Sequence, residues 1–145
     1  MIMSKKLKKN TAVLECGYWG KNLVRNFYEL NSLHAICDTD VDRLKSFQEK
    51  YPDLTVHNDY KTLLKNPEIE AVVIATPAAT HYALAKEALL ADKDVFVEKP
   101  IALHYKEGEE LVSLAKEKSK ILMVGHLLEY HPVVIKLKDL INNGE

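Results

Sequence analysis

Cysteine is scarce in this chain. There are two in 145 residues, Cys16 and Cys37, too few for a disulfide framework, and a reducing cytoplasm is the expected compartment. No apolar run approaches the ~18 residues that cross a bilayer, so no membrane association is expected. Neither sign of charge is in excess: the net charge is −1, which gives no electrostatic support for a nucleic-acid or membrane-surface partner. Lys5, Lys6, Lys8 and Lys9 are not followed by the apolar segment of a secretory signal and read as a solvated start. Repeats, low-complexity tracts and linkers are missing. No metal is expected either, because His126 and His131 have no cysteine or carboxylate partner at ligand spacing. Glycine is rare at five residues, and two of them, Gly17 and Gly20, fall in one short stretch beside the only tryptophan, Trp19.

What remains is an ordinary globular composition, 47% apolar and 28% charged. The length suits one domain over 1–145, large enough to bury about two-thirds of its unfolded surface. Apolar runs and helical stripes alternate along it. Ala12–Leu14, Leu33–Cys37, Leu54–His57, Ala71–Ala75, Asp94–Val97 and Ile121–Val124 read as strands. Between them, Leu23, Val24, Phe27 and Leu30 form one helical stripe, and Val41, Leu44 and Phe47 another. A short helix spans Asp59–Leu64, and Thr80 is the expected N-cap of a helix through Ala91 with Tyr82, Ala85, Ala88 and Leu89 inward. A long helix runs from His104 to Lys118, and Pro132 opens a last one whose C-cap is Gly144. Six strand–helix alternations predict an α/β fold, a Rossmann-type doubly wound parallel sheet of about six strands with helices on both faces. Ligands of such sheets bind beyond the carboxyl ends of the strands, where Asp38, Thr76, Glu98, Lys99 and His126 fall.

The organising stretch is Thr11 to Asn22, a strand, a glycine turn and a helix start. Such a turn aims free backbone N–H groups at one spot, where a phosphate is favoured. The dinucleotide fingerprint G-x-G-x-x-G here reads Glu15, Cys16, Gly17, Tyr18, Trp19, Gly20, with glutamate at the first glycine. Gly17 permits close approach of a pyrophosphate and Gly20 tight helix–strand packing. Asp38, 18 residues after Gly20, has the spacing of the carboxylate that bonds the adenosine ribose hydroxyls, and it favours NAD over NADP by repelling a 2′-phosphate. The plainer alternative for Asp38 is a turn or capping residue before Val41.

Four segments together resemble one family: ECGYWGKN at 15–22, ATPAATH at 75–81, VEKP at 97–100 and GHLLEYHP at 125–132. The chain resembles the nucleotide-binding half of the glucose–fructose oxidoreductase / inositol dehydrogenase (Gfo/Idh/MocA) family. Within it the segments are most similar to nucleotide-sugar dehydrogenases that oxidise the C3 hydroxyl of UDP-N-acetylglucosamine-type uronates. The resemblance implies that Gly17, Tyr18, Trp19 and Gly20 line the pyrophosphate turn, that Asp38 holds the adenosine ribose, and that Thr76, Pro77 and His81 lie along the cofactor. It places Glu98 near the nicotinamide ribose and Lys99 beside the reacting carbon as the catalytic residue. Alcohol oxidation needs a hydride acceptor and a group that takes the hydroxyl proton. Beside an oxidised nicotinamide's positive charge the ammonium form of Lys99 is disfavoured, which suits a base or an electrophile. His126, Tyr130 and His131 are candidate substrate contacts. For Lys99 the plainer alternative is a surface lysine paired with Glu98, and for His81 an exposed first-turn residue.

The resemblance also implies a second, C-terminal domain that supplies substrate contacts and a homo-oligomer interface, beyond Glu145. Dinucleotide binding without turnover is therefore the expectation for these 145 residues alone. A non-catalytic dinucleotide-sensing or interaction module is the competing reading, favoured by Glu15. A third is an S-adenosylmethionine-dependent methyltransferase, in which an acidic residue precedes the glycine turn and Asp38 holds that ligand's ribose. The G-x-x-G spacing and the VEKP and ATPAATH segments speak against it.

Overall fold

Residues 10–144 are described in a computed structural model, and the lysines at positions 5, 6, 8 and 9 lie outside them. The strands are β1 (Thr11–Leu14), β2 (Leu33–Cys37), β3 (Thr55–His57), β4 (Ala71–Ile74), β5 (Asp94–Val97) and β6 (Leu122–Val124). The helices are α1 (Gly20–Glu29), α2 (Val41–Lys50), α3 (Tyr60–Lys65), α4 (Ala78–Leu90), α5 (Tyr105–Glu117) and α6 (Pro132–Asn142), with a 3₁₀ turn at Leu127–Tyr130 before α6. All strands pair in parallel in the order β3-β2-β1-β4-β5-β6. The order reverses between β1 and β4, the crevice where doubly wound sheets take their ligands.

The strands alternate their side chains between two cores. Ala12, Leu14, Val72 and Ile74 pack against Leu63, Ala85, Leu89 and Leu111 from α3, α4 and α5. Val13, Ile36 and Val73 pack against Leu23, Val24 and Leu44 from α1 and α2. Both faces are thus covered, which is why β4 reads as a continuous apolar run. The register pairs Leu14 with Cys37 and Ile74, Ile74 with Val97, and Val97 with Val124. The residues just past those pairs, Glu15, Asp38, Ala75, Glu98 and Gly125, therefore share one rim.

Two stripe residues and one cap differ from expectation, each for an end effect. Leu30 and Val41 are 58% and 51% exposed because Leu30 is the C-cap of α1 and Val41 the first residue of α2. Thr80 is not a cap: α4 starts two residues earlier, at Ala78, after Pro77, and the Thr80 hydroxyl contacts Pro77 O at 2.8 Å within the first turn. Pro132 does open α6, but no residue of that helix is buried.

On the opposite rim, α1, α4 and α5 end in the same way. Asn31, Asp92 and Ser119 take φ of 55°, 58° and 54°. The following N–H groups, of Ser32, Lys93 and Lys120, bond back to Phe27 O, Ala88 O and Ala115 O. This is the Schellman ending, made here without glycine.

Candidate functional site

The turn after β1 is built around Glu15. Its φ is 69°, in the left-handed region, and its N–H donates to Cys37 O at 2.7 Å. Neither Gly17 nor Gly20 has positive φ; what they lack is a Cβ. A Cβ on Gly20 would stand 1.9 Å from Glu15 O. The carbonyl of the turn thus lies directly on the first residue of α1. The first N–H to bond back into the turn is that of Lys21, to Gly17 O at 3.2 Å. Those of residues 18–20 precede it and are the donors that a helix start offers an anion.

The Glu15 carboxylate stays in this cradle, its Oε1 3.2 Å from where a Gly17 Cβ would be. Its pKa is raised, chiefly by burial and also by Asp38, with Arg43 opposing. A charge there opposes a pyrophosphate, and a left-handed non-glycine residue is strained by about 1 kcal/mol. Glu15→Gly should therefore raise thermal stability by about 1 kcal/mol and tighten dinucleotide binding severalfold, by about 1 kcal/mol. Melting curves and a titration check both, and unchanged affinity would remove Glu15's proposed interference.

Asp38 has a side chain only 2% exposed. Its Oδ2 accepts from Cys16 N–H at 2.8 Å and its Oδ1 from Asp40 N–H at 2.9 Å. The Arg43 guanidinium lies 2.8 and 3.0 Å from the two oxygens. Burial alone would raise the Asp38 pKa, but these hydrogen bonds outweigh it and hold the carboxyl below its usual range. Asp38 sits at the β2 tip and, through Asp40 N–H, organises the turn into α2, which Asp40 caps. Its oxygens are already engaged, so a ribose diol must share them with Arg43. Arg43 was missed in the sequence. The signal was its place one turn into a helix that starts beside Asp38.

His81 departs most from expectation. It is 1% exposed, with Nδ1 2.6 Å from Pro100 O and Nε2 2.7 Å from Thr76 O. Both ring nitrogens face backbone carbonyls, so none is left for a cofactor oxygen. The ring braces the tips of β4 and β5. Thr76 stays half-buried at the rim, Pro77 is exposed, and Lys99 projects into solvent.

Trp19 does more than line the turn. Its indole N–H donates to Glu98 Oε1 at 2.7 Å, joining the loop after β1 to the tip of β5. Trp19, Ala75, Thr76, His81, Glu98 and Lys99 are among the residues around a cavity of about 510 Å³. A second, of about 230 Å³, is lined in part by Glu15, Asp38, Thr39, Arg43 and Thr76. Thr76 lines both, so the two cavities adjoin along the rim. His126 shares a further cavity of about 310 Å³ with Lys99. Tyr130 is 69% exposed and lines none of these. His131 caps α6, its Nδ1 accepting from Val133 N–H at 3.2 Å. Of the three candidate substrate contacts, only His126 is brought to Lys99. Cys16 and Cys37 are buried free thiols; burial pushes Cys37 up to about 11 and Cys16 higher still, so neither is a reactive thiolate. Among the described residues no cluster of His, Cys, Asp and Glu suits a metal, and no helix is long and apolar enough to cross a membrane.

Two adjoining rim cavities, a helix start with free donors and an acidic residue at the second strand tip fit a dinucleotide, with Glu15 as the discordant group. Residues 9–126 match the model of the GFO_IDH_MocA oxidoreductase family, NAD-binding Rossmann fold. The chain belongs to this family. A 1-carboxy-3-chloro-3,4-dihydroxycyclohexa-1,5-diene dehydrogenase of Comamonas testosteroni is 38% identical over 77% of this chain and 28% of its own length. The UDP-N-acetylglucosamine 3-dehydrogenase of Acidithiobacillus ferrooxidans is 27% identical over 88% of this chain and 40% of its own; its crystal structure superposes with a TM-score of 0.81. KijD10, a 3-ketoreductase from Actinomadura kijaniata solved with NADP and TDP-benzene, superposes with a TM-score of 0.84 at 25% identity, covering 93% of this chain and 42% of that one. The chain spans 40% or less of the length of the first curated relatives it matches. The matched family is an oxidoreductase family, which leaves the methyltransferase reading without support.

Proposed function

We propose that this chain binds NAD along the rim groove and that, in the complete protein, it serves the oxidation of a sugar or nucleotide-sugar hydroxyl. The observation that carries the reading is the pair of adjoining rim cavities, one at Asp38 and Arg43 and one at Glu98 and Lys99, with Thr76 lining both. In this reading the α1 N-terminus receives the pyrophosphate, with Gly17, Tyr18 and Gly20 around it. Asp38 meets the adenosine ribose. NAD is favoured over NADP because Glu15, Asp38 and Asp40 surround the single cation Arg43, so a 2′-phosphate meets a net negative field.

When bound, the nicotinamide supplies the hydride acceptor. The exposed amine of Lys99 is the group in reach to take or hold the hydroxyl proton, and Glu98 stands beside it to meet the nicotinamide ribose. His126 is the residue placed to touch the substrate. The 3-dehydrogenase and 3-ketoreductase among the relatives support the C3 position of a nucleotide sugar as the site of oxidation. A second domain, a homo-oligomer and a cytoplasmic location complete the proposal for the whole protein, with the 145-residue chain binding cofactor without turnover. Glu15 alone favours the second reading, a dinucleotide-sensing module, because it places charge and strain in the cradle.

Titration of the chain with NAD, NADP and S-adenosylmethionine, followed by Trp19 fluorescence and calorimetry, tests this. A saturable response to NAD, weaker with NADP and absent with S-adenosylmethionine, is expected. No heat and no fluorescence change with either dinucleotide would overturn the assignment.

A further inference from the structure

The contact between Trp19 and Glu98 crosses the groove at its Lys99 end, and a second feature supports it from below. The Glu98 carboxylate lies on Gly125, at the tip of β6: a Cβ on Gly125 would meet Glu98 Oε1, Cδ and Oε2 at 3.0–3.1 Å. Gly125 N–H is fixed to Val97 O at 2.9 Å, so this floor does not yield. One side chain is thus held from two directions, by an indole N–H from the β1 loop and by a bare α-carbon from β6. Glu98 itself is fixed through its N–H to Ile74 O at 3.0 Å. An indole is a donor only, so it takes one carboxylate oxygen and leaves Oε2 for an incoming group.

We propose that Trp19 and Gly125 form a socket that positions Glu98 for the nicotinamide-ribose half of the dinucleotide. Glu98 has several rotatable bonds, and at the rim it would otherwise sample many positions. Fixing it before the ligand arrives removes that entropy from binding. The socket acts only on the half of the ligand beyond the pyrophosphate. Trp19 and Gly125 are positioning residues, and this assignment rests on the dinucleotide reading above.

The test compares ligands that share the adenosine and pyrophosphate but differ beyond them. Affinities of ADP, ADP-ribose and NAD are measured by calorimetry for the unaltered chain and for Trp19→Phe and Gly125→Ala. Trp19→Phe keeps an aromatic ring and removes the donor; Gly125→Ala keeps the donor and displaces the carboxylate. In both variants ADP-ribose and NAD should weaken by about tenfold more than ADP does, the scale of one lost hydrogen bond to a charged group. Equal weakening of all three ligands would mean that Trp19 only shapes the turn, and would overturn the socket. An unchanged ratio of NAD to ADP affinity would overturn it too. If the unaltered chain binds none of the three, the dinucleotide reading itself falls and the socket falls with it. A separate readout needs no ligand. Glu98→Ala should shift Trp19 emission in the free chain, and an unshifted spectrum would overturn the contact.

Discussion

Gly20→Ala should unfold this chain or cost it about 3 kcal/mol or more, since over-packing at this severity exceeds the usual range for a single added methyl. The added Cβ would stand 1.9 Å from Glu15 O and 2.9 Å from Glu15 C, both backbone atoms. Glu15 is not free to move aside, because its N–H is tied to Cys37 O. The helix start is equally constrained, with Leu23 and Val24 buried one turn on. Gly17→Ala is the matched control: its Cβ would meet only the Glu15 carboxylate at 3.2 Å and Arg43 at 3.8 Å, both ends of flexible side chains. Thermal melts of the two variants check the asymmetry. For a domain of this size, 3 kcal/mol corresponds to a Tm fall of roughly 10 °C. A Gly20→Ala protein that melts within a degree or two of Gly17→Ala would refute the tight packing of the turn on α1.

His81→Ala should be comparably damaging, by about 3 kcal/mol, through two additive effects. Removing a fully buried ring leaves a cavity, and the ring N–H that bonds a backbone carbonyl, of Thr76 or Pro100 according to the tautomer, is lost. The two carbonyls belong to different strand ends, so the damage is also local: the tips that carry Thr76 and Lys99 lose their only described side-chain link through this ring. Dinucleotide affinity should fall together with stability. If His81 were instead an exposed cofactor contact, affinity would fall while the melting temperature held. Measuring both on the same protein separates the two cases.

The strand–helix alternation follows from features that sequence displays well. The continuous apolar β4, the i, i+4 spacing of apolar residues in α1 and Pro132 at the start of α6 all carry their physics locally. So does much of the rim, because β1, β2 and β5 each end where a carboxylate begins, at Glu15, Asp38 and Glu98. What could not be read were facts created by approach of distant segments. The burial of His81 depends on Pro100, which is 19 residues away in sequence. The saturation of Asp38 depends on Cys16 N–H, 22 residues away. The start of α4 at Ala78 was hidden for a different reason: Thr80 is a strong capping residue, but Pro77 with its fixed φ already supplies the helix entry. The strain at Glu15 was legible, since a glutamate stood where the turn wants glycine.

The two rims of the sheet are unequal in how much they can be altered. On the far rim, Asn31, Asp92 and Ser119 hold left-handed positions that glycine would occupy without strain. None of the three lines the groove. The near rim has one such position, Glu15, and it stands in the proposed cradle. The architecture therefore separates a reserve of stability from the place where chemistry is proposed. A more robust scaffold can be made from one edge while the other keeps its geometry, and the same separation lets the near edge diverge toward a new ligand with the far edge absorbing the loss.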